Sequence, residues 1–330
     1  MSERLRFAPP KPAPKGLWRR VPPMIFTPIL GLMSLALAWR AAMTQFALPA
    51  GLSGLLDGVA VALFLFAATA YAVKLLWRPA VLADDLGTLP GRVGTAAGVL
   101  CVYLLAGLLA AYLLPLARGV LAVGLGLHLA LLVTMLRVLG RGTGDARGVS
   151  AAWHLQWAGV LLAARVAPLL GWPRLAEALF WPGLLAALAI WLGSSRQLPG
   201  LRLPAPLRPM LALHLAPLAL IGTVLVLAGH PDAGRTIAAL AGLALLAGLL
   251  GARWLAAAGY SALWGVFAFP VAASADLFWT LYAAQPSEAL RALAGLALVA
   301  ATLIVVPLVF LILRDWVRGR LAVKTNAATA

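Results

Sequence analysis

The chain has 330 residues, of which 63% are apolar and 11% charged, with a mean hydropathy of +0.97, whereas soluble domains carry about 25% charged residues. That composition excludes a soluble enzyme or a nucleic-acid binder, and the single cysteine, Cys101, excludes an internal disulfide and a thiolate metal cluster. The net charge of +16 carries meaning by its placement along the chain rather than by its sum.

Residues 1–22 form a basic, proline-rich N-terminal tail. They are not expected to be a signal peptide, because no short apolar core with a small-residue cleavage site follows them. Ten apolar runs come next, at 24–42, 51–77, 93–114, 116–139, 152–171, 174–193, 209–228, 234–252, 258–283 and 289–313. Each is close to the roughly 20 residues that cross a bilayer. Inside hydrocarbon every backbone N–H and C=O must be satisfied within the segment, so these runs are helices. The expected fold is an all-α integral membrane protein of ten transmembrane helices, arranged as five hairpins, with a membrane domain over 23–315 and a second tail over 316–330. The glycines between Gly142 and Gly148 read as a turn; no strand precedes them and no Lys-Ser/Thr follows, so a phosphate loop is disfavoured. Gly119, Gly124 and Gly126, and Gly242, Gly248 and Gly251, are expected to let helices approach closely.

With ten crossings both tails lie on one side. Of 26 Lys and Arg residues, all but Arg40, Arg118, Arg165, Arg174, Arg235 and Arg291 fall on the side of the tails. By the positive-inside rule both termini are expected to be cytoplasmic, and the expected location is the inner membrane of a bacterial cell.

Ionisable residues within the spans are few, and they are where chemistry would reside. Asp57 and Asp276 lie near the outer ends of the second and ninth spans, and Arg165 about two turns from the outer end of the fifth. Two accounts stay open: an Arg/Asp set lining an outer vestibule, or an arginine that snorkels to the interface. His128 and His214 lack a ligand at helical spacing and read as structural histidines. His154, beside Trp153 and Trp157, reads as part of an interfacial belt. Arg78, Asp84, Asp85 and Arg92 share one cytoplasmic loop and read as loop ion pairs. No carboxylate pair or Ser/His/Asp set suits catalysis, and no metal or other cofactor is expected. Prolines mark the odd-numbered spans: Pro28, Pro168, Pro217 and Pro270, against Pro182 and Pro307 in the even ones. A proline inside a helix removes a hydrogen bond and bends it, which suits an inner ring of bent helices around a path.

Three segments resemble one family. Val21–Arg40, with its Pro22-Pro23 start, Thr27-Pro28, Gly31 and closing Ala38-Trp39, is similar to the first helix of the tellurite-resistance/dicarboxylate transporter (TehA-type) family, which includes the plant guard-cell slow anion channels. Trp264-Gly-Val-Phe-Ala-Phe-Pro270 resembles the family's ninth helix. The loop Arg78–Arg92, with its acidic pair before a leucine and a proline, is also similar, and ten spans agree along the whole chain. Gly265, where a second Trp is common, and Asp85, in a usual Glu position, depart from the pattern. The resemblance implies odd-numbered helices around a central pore, a homotrimer with one pore per subunit, and a phenylalanine, here Phe269, that plugs the pore. Without the resemblance Phe269 reads as an ordinary core or lipid-facing aromatic.

On that basis the expected function is an anion channel or transporter that passes small inorganic or organic anions. Its apolar pore would select anions by how readily they shed water. Two alternatives stand beside it. One is a proton-coupled carrier for C4-dicarboxylate or tellurite-like oxyanions, with Arg165 holding substrate and Asp57 or Asp276 coupling. The other is a haem-containing redox protein built on His128, His154 and His214.

Overall fold

The computed structural model describes residues 18–47, 49–141, 148–195 and 203–330. The glycine-rich turn at 142–147, most of the N-terminal tail and much of the 194–209 connection lie outside them. All regular secondary structure among the described residues is helical, and nine of their helices are long and apolar enough to cross a membrane. In chain order the helices are α1 (Phe26–Gln45), α2 (Ala50–Trp77), α3 (Val81–Leu86), α4 (Leu89–Leu109), α5 (Leu114–Arg141), α6 (Trp153–Trp157), α7 (Val160–Val166), α8 (Pro173–Ser194), α9 (Leu215–Leu227), α10 (Pro231–Leu250), α11 (Ala252–Leu255), α12 (Ala268–Ala284), α13 (Glu288–Val317) and α14 (Arg320–Lys324).

The expected fifth span is not one helix. It runs as α6, a break at Ala158–Gly159, α7, and a 3-10 turn over Ala167–Leu170. At the break the ladder shortens, with Leu161 N–H reaching Ala158 O at 3.0 Å and Leu162 N–H reaching Gly159 O at 3.0 Å. Gly159 is confined there: a Cβ would strike the Leu155 carbonyl and come within 2.8 Å of Leu100.

Burial alternates along the chain. The apolar windows holding α1, α4, α9 and α12 are 78%, 72%, 61% and 78% buried, whereas those of α2, α5, α8, α10 and α13 are 33%, 28%, 28%, 17% and 33% buried. The first set forms an inner ring with α7. Going round, α1 packs on α4, α4 on α7, α7 on α9, α9 on α12, and α12 back on α1. Outer helices turn small residues inward and long ones outward. On α10, Ala238 and Ala241 are buried while Leu243, Leu246 and Leu250 are exposed. Lipid tails are as apolar as leucine, so close backbone approach, not hydrophobicity, decides which side faces in.

The prolines of the odd-numbered segments sit elsewhere than in α-helix interiors. Pro28, Pro217 and Pro270 are each the third residue of an α-helix, and each helix is preceded by a 3-10 stretch, over Pro23–Ile25, Ala205–His214 and Ala262–Phe267. First-turn N–H groups have no partner within the α-helix itself, so a proline there costs at most one bond to the preceding 3-10 turn and fixes φ for the start. The Met24 carbonyl, which a residue other than Pro28 would have bonded, is taken by Thr27 Oγ1 at 2.9 Å. Pro168 lies in the 3-10 turn that closes the broken fifth segment. The prolines flanked by α-helix on both sides are Pro182 and Pro307, in outer α8 and α13. The odd-numbered segments are therefore marked by changes of helix type at their ends rather than by bends in mid-helix.

The glycine expectation also shifts. Around Gly119, Gly126 and Gly248 a Cβ would meet nothing within 4 Å, at Gly251 it would meet its own helix, and at Gly242 it would touch Phe278 at an ordinary 3.8 Å; only Gly124, against the Tyr103 ring, packs tightly. These glycines lie on or just after outer helices α5 and α10. Close approach occurs where inner helices cross: a Cβ on Gly31 would overlap Ala268, one on Gly94 would overlap Pro23, and one on Gly265 would overlap Thr27 Oγ1.

Both ends of the described chain meet at one end of the bundle, where Ala330 N–H bonds Arg19 O at 2.9 Å.

Candidate functional site

Helix α12 presents two faces to two different cores. Ala268, Ala272 and Ala275 pack with Leu35 and Ala38 of α1, Ala241 of α10 and Ala301 of α13. Phe269 and Ala273 face the other way, into a continuous core shared with Ile29 and Met33 of α1, Leu100 of α4, Leu162 of α7 and Leu220 of α9. Asp276, at the i+7 position from Phe269, continues that second face. Phe269 is only 2% exposed, so its ring is buried within that core. Asp276 lies about 10 Å further along the helix, at 1.5 Å per residue.

Across the ring from Asp276 stands Arg165 of α7. The pair is two-pronged: Nε donates to Oδ2 at 2.8 Å and Nη2 to Oδ1 at 2.9 Å. Arg165 is 6% exposed, so it turns into the bundle instead of snorkelling. Its remaining terminal nitrogen, Nη1, is buried and has no hydrogen-bond partner among the described residues. A buried guanidinium needs its counter-charge, and the fork geometry satisfies both carboxylate oxygens at once. The two N–H groups of Nη1 are left over, with no acceptor among the described residues.

Asp57 does not join this pair. It binds Arg40 Nη2 at 2.5 Å and accepts from the Tyr112 hydroxyl at 2.8 Å. Arg40 also donates to the Leu108 carbonyl at 2.9 Å and the Gly107 carbonyl at 3.3 Å, tying the end of α1 to the start of α2 and the end of α4. This is a clamp on helix ends. The expected three-residue vestibule set is thus two separate ion pairs.

At the opposite end a third pair is wholly enclosed. Lys74 Nζ meets Asp85 Oδ2 at 2.7 Å, both side chains at 0% exposure, and also donates to Val21 O at 2.9 Å. Tyr71 donates to the same carboxylate at 3.0 Å. Asp85 thus belongs to the interior, while its neighbour Asp84 pairs with Arg78 on the surface. Sequence reading assigned both aspartates to loop pairs; α3 buries one face and exposes the other.

The histidines divide. His128 is held between the Tyr103 hydroxyl at 2.8 Å and the Gln156 carbonyl at 2.7 Å. His154 Nε2 and His214 Nδ1 lie 2.9 Å apart. Two imidazole nitrogens on one tetrahedral metal stand about 3.3 Å apart, and at 2.9 Å these two atoms are at hydrogen-bond distance.

The chain matches no protein-family model and no curated protein.

Proposed function

We propose that this protein is a membrane anion channel or transporter whose path runs through the ring of α1, α4, the α6–α7 segment, α9 and α12, with Phe269 as the barrier. The observation that carries the reading is the position of Phe269: a buried aromatic ring in the core that residues of the inner segments share, on the same face of α12 as Asp276, which holds an interior arginine. Ten crossings fit this arrangement. The meeting of Arg19 and Ala330 at one end of the bundle supports an even number, as does a count in which the broken fifth segment joins the nine long helices.

The physical mechanism is simple. The Phe269 ring must take another rotamer and displace its neighbours to open the path, at a cost of about 1 to 3 kcal/mol. The path then offers apolar walls, the unpartnered Nη1 of Arg165, and no net charge, since Asp276 neutralises the guanidinium. Such a site strips water from an anion without holding it, which conduction requires. A homotrimer with one path per subunit belongs to the same reading.

The Arg165–Asp276 pair also favours a second reading, a proton-coupled oxyanion carrier, because intramembrane ion pairs mark coupling sites in transporters. Purified protein in proteoliposomes separates the two. A channel gives chloride or nitrate current that reverses at the anion equilibrium potential and is indifferent to a pH gradient. A carrier gives flux that saturates and is driven by that gradient. Absence of any anion flux in either assay overturns the transport reading.

A further inference from the structure

The Arg165–Asp276 pair joins two helices that flank a third. Helix α7 packs chiefly on α4, α8 and α9, and α12 on α1, α9, α10 and α13, so the two side chains reach across the interior of the ring rather than along a packed seam. An arginine holds five N–H groups in one plane. The edge formed by Nε and Nη2 is filled by the two oxygens of Asp276, at 2.8 and 2.9 Å. The other edge, one N–H of Nη1 beside the second N–H of Nη2, is a fork of the same kind. Nη2 makes no second bond among the described residues, and Nη1 is buried without a partner. At 6% exposure the side chain is more than nine-tenths buried. Donors left unmet at that depth cost free energy, which a pair of anionic oxygens recovers, each such bond being about twice as strong as one between neutral groups.

Shape and charge narrow the ligand. The free edge matches two coplanar oxygens on one atom, whereas a halide, a single sphere, cannot meet both N–H groups along their axes. Asp276 already neutralises the guanidinium, so a monoanion leaves the three groups with one net negative charge, and a dianion would leave two in a low-dielectric interior. Leu162 and Ala273, one turn before Arg165 and Asp276, are buried and apolar, which suits an anion whose remaining atoms are apolar. Occupancy is accordingly weak and brief, as conduction requires.

We propose that the free edge of the Arg165 guanidinium is a binding site for a small monocarboxylate, such as formate or acetate, held in the interior of the inner ring and preferred there over a halide. As the substrate class of the path this rests on the transport reading; as a binding site it does not. It adds recognition by shape to selection by hydration. Formate and acetate hold their water more tightly than chloride, so a passage that sorts by hydration alone ranks them below chloride, and one with this fork ranks them above.

Thermal unfolding of the purified full-length protein in detergent reads binding directly. Millimolar sodium formate is expected to raise the midpoint saturably, and sodium chloride at the same ionic strength is not. Arg165→Lys keeps a cation for Asp276 but presents no fork; it is expected to weaken formate binding about ten-fold, the worth of one hydrogen bond to a charged group. Saturation-transfer NMR of the formate proton on wild-type protein, with acetate as competitor, makes the same check without a variant. In proteoliposomes formate is expected to outrun chloride, and Arg165→Lys to reverse that order. Formate binding without flux of any anion supports the site and overturns the transport reading. Chloride bound as well as formate, formate not displaced by acetate, or a formate-to-chloride flux ratio unchanged by Arg165→Lys overturns the site.

Discussion

Arg165 and Asp276 show how far single residues speak for themselves. Each stands out in the sequence as a charge inside an apolar run, yet they are 111 positions apart, and nothing in spacing joins them. Pairing is decided by which segments the ring makes neighbours. The same holds for Asp57, whose partner Arg40 lies only 17 positions away across the first hairpin; that short span was the available signal. Removing one member of the inner pair leaves a buried charge without its counter-charge, at a cost of about 3 to 5 kcal/mol, whereas replacing both by apolar residues of similar size is near neutral. Asp276→Asn is therefore expected to unfold in denaturant well before the wild type, and Arg165→Met with Asp276→Leu to recover most of that loss. A double variant as unstable as the single one contradicts the pairing. If the recovered double variant still conducts at the wild-type rate, the leftover Nη1 donor has no part in the path.

Helices and their joints were legible to different degrees. Length and apolar content located the spans, because hydrocarbon admits only helices of that length. The prolines signalled something special about the odd-numbered segments but not what. A proline is silent on whether it bends a helix or begins one until the preceding turn is known, and here three of them follow 3-10 stretches. The two cases differ in consequence. Pro270→Ala, in a first turn, is expected to change stability by less than about 1 kcal/mol. Pro307→Ala restores a hydrogen bond inside α13 and is expected to straighten it, with a gain of about 1 kcal/mol. Thermal unfolding in detergent checks both, and a large loss for Pro270→Ala refutes the joint reading. Among glycines, the informative ones mark inner crossings. Gly31→Val must push α1 from α12 and is expected to cost about 1 to 3 kcal/mol, while Gly126→Val on the outer face costs little; equal costs would contradict the inner and outer assignment.

For the whole molecule, alternation of burial along the chain is the property that organises everything else. It was foreshadowed by the five-hairpin expectation and only partly by composition: the two most buried spans, α1 and α12, are the least hydropathic and outer α13 the most, but the two sets overlap. The placement of alanine against leucine on each helix carries the rest, as on α10. The meeting of Arg19 with Ala330 requires that labels at both chain ends share a side. Cysteines placed at Trp18 and Thr329, with buried Cys101 as a silent background, are expected to react with a membrane-impermeant maleimide from the same side, opposite to one placed at His230; labelling from different sides would refute an even number of crossings. The central claim is that Phe269 closes a path through the inner ring. Chloride and nitrate flux through purified Phe269→Ala protein, with Phe269→Leu as a milder variant that keeps the core filled, tests it most directly. The account predicts flux above wild type in both, largest for alanine; flux at or below wild type in a correctly folded variant contradicts it.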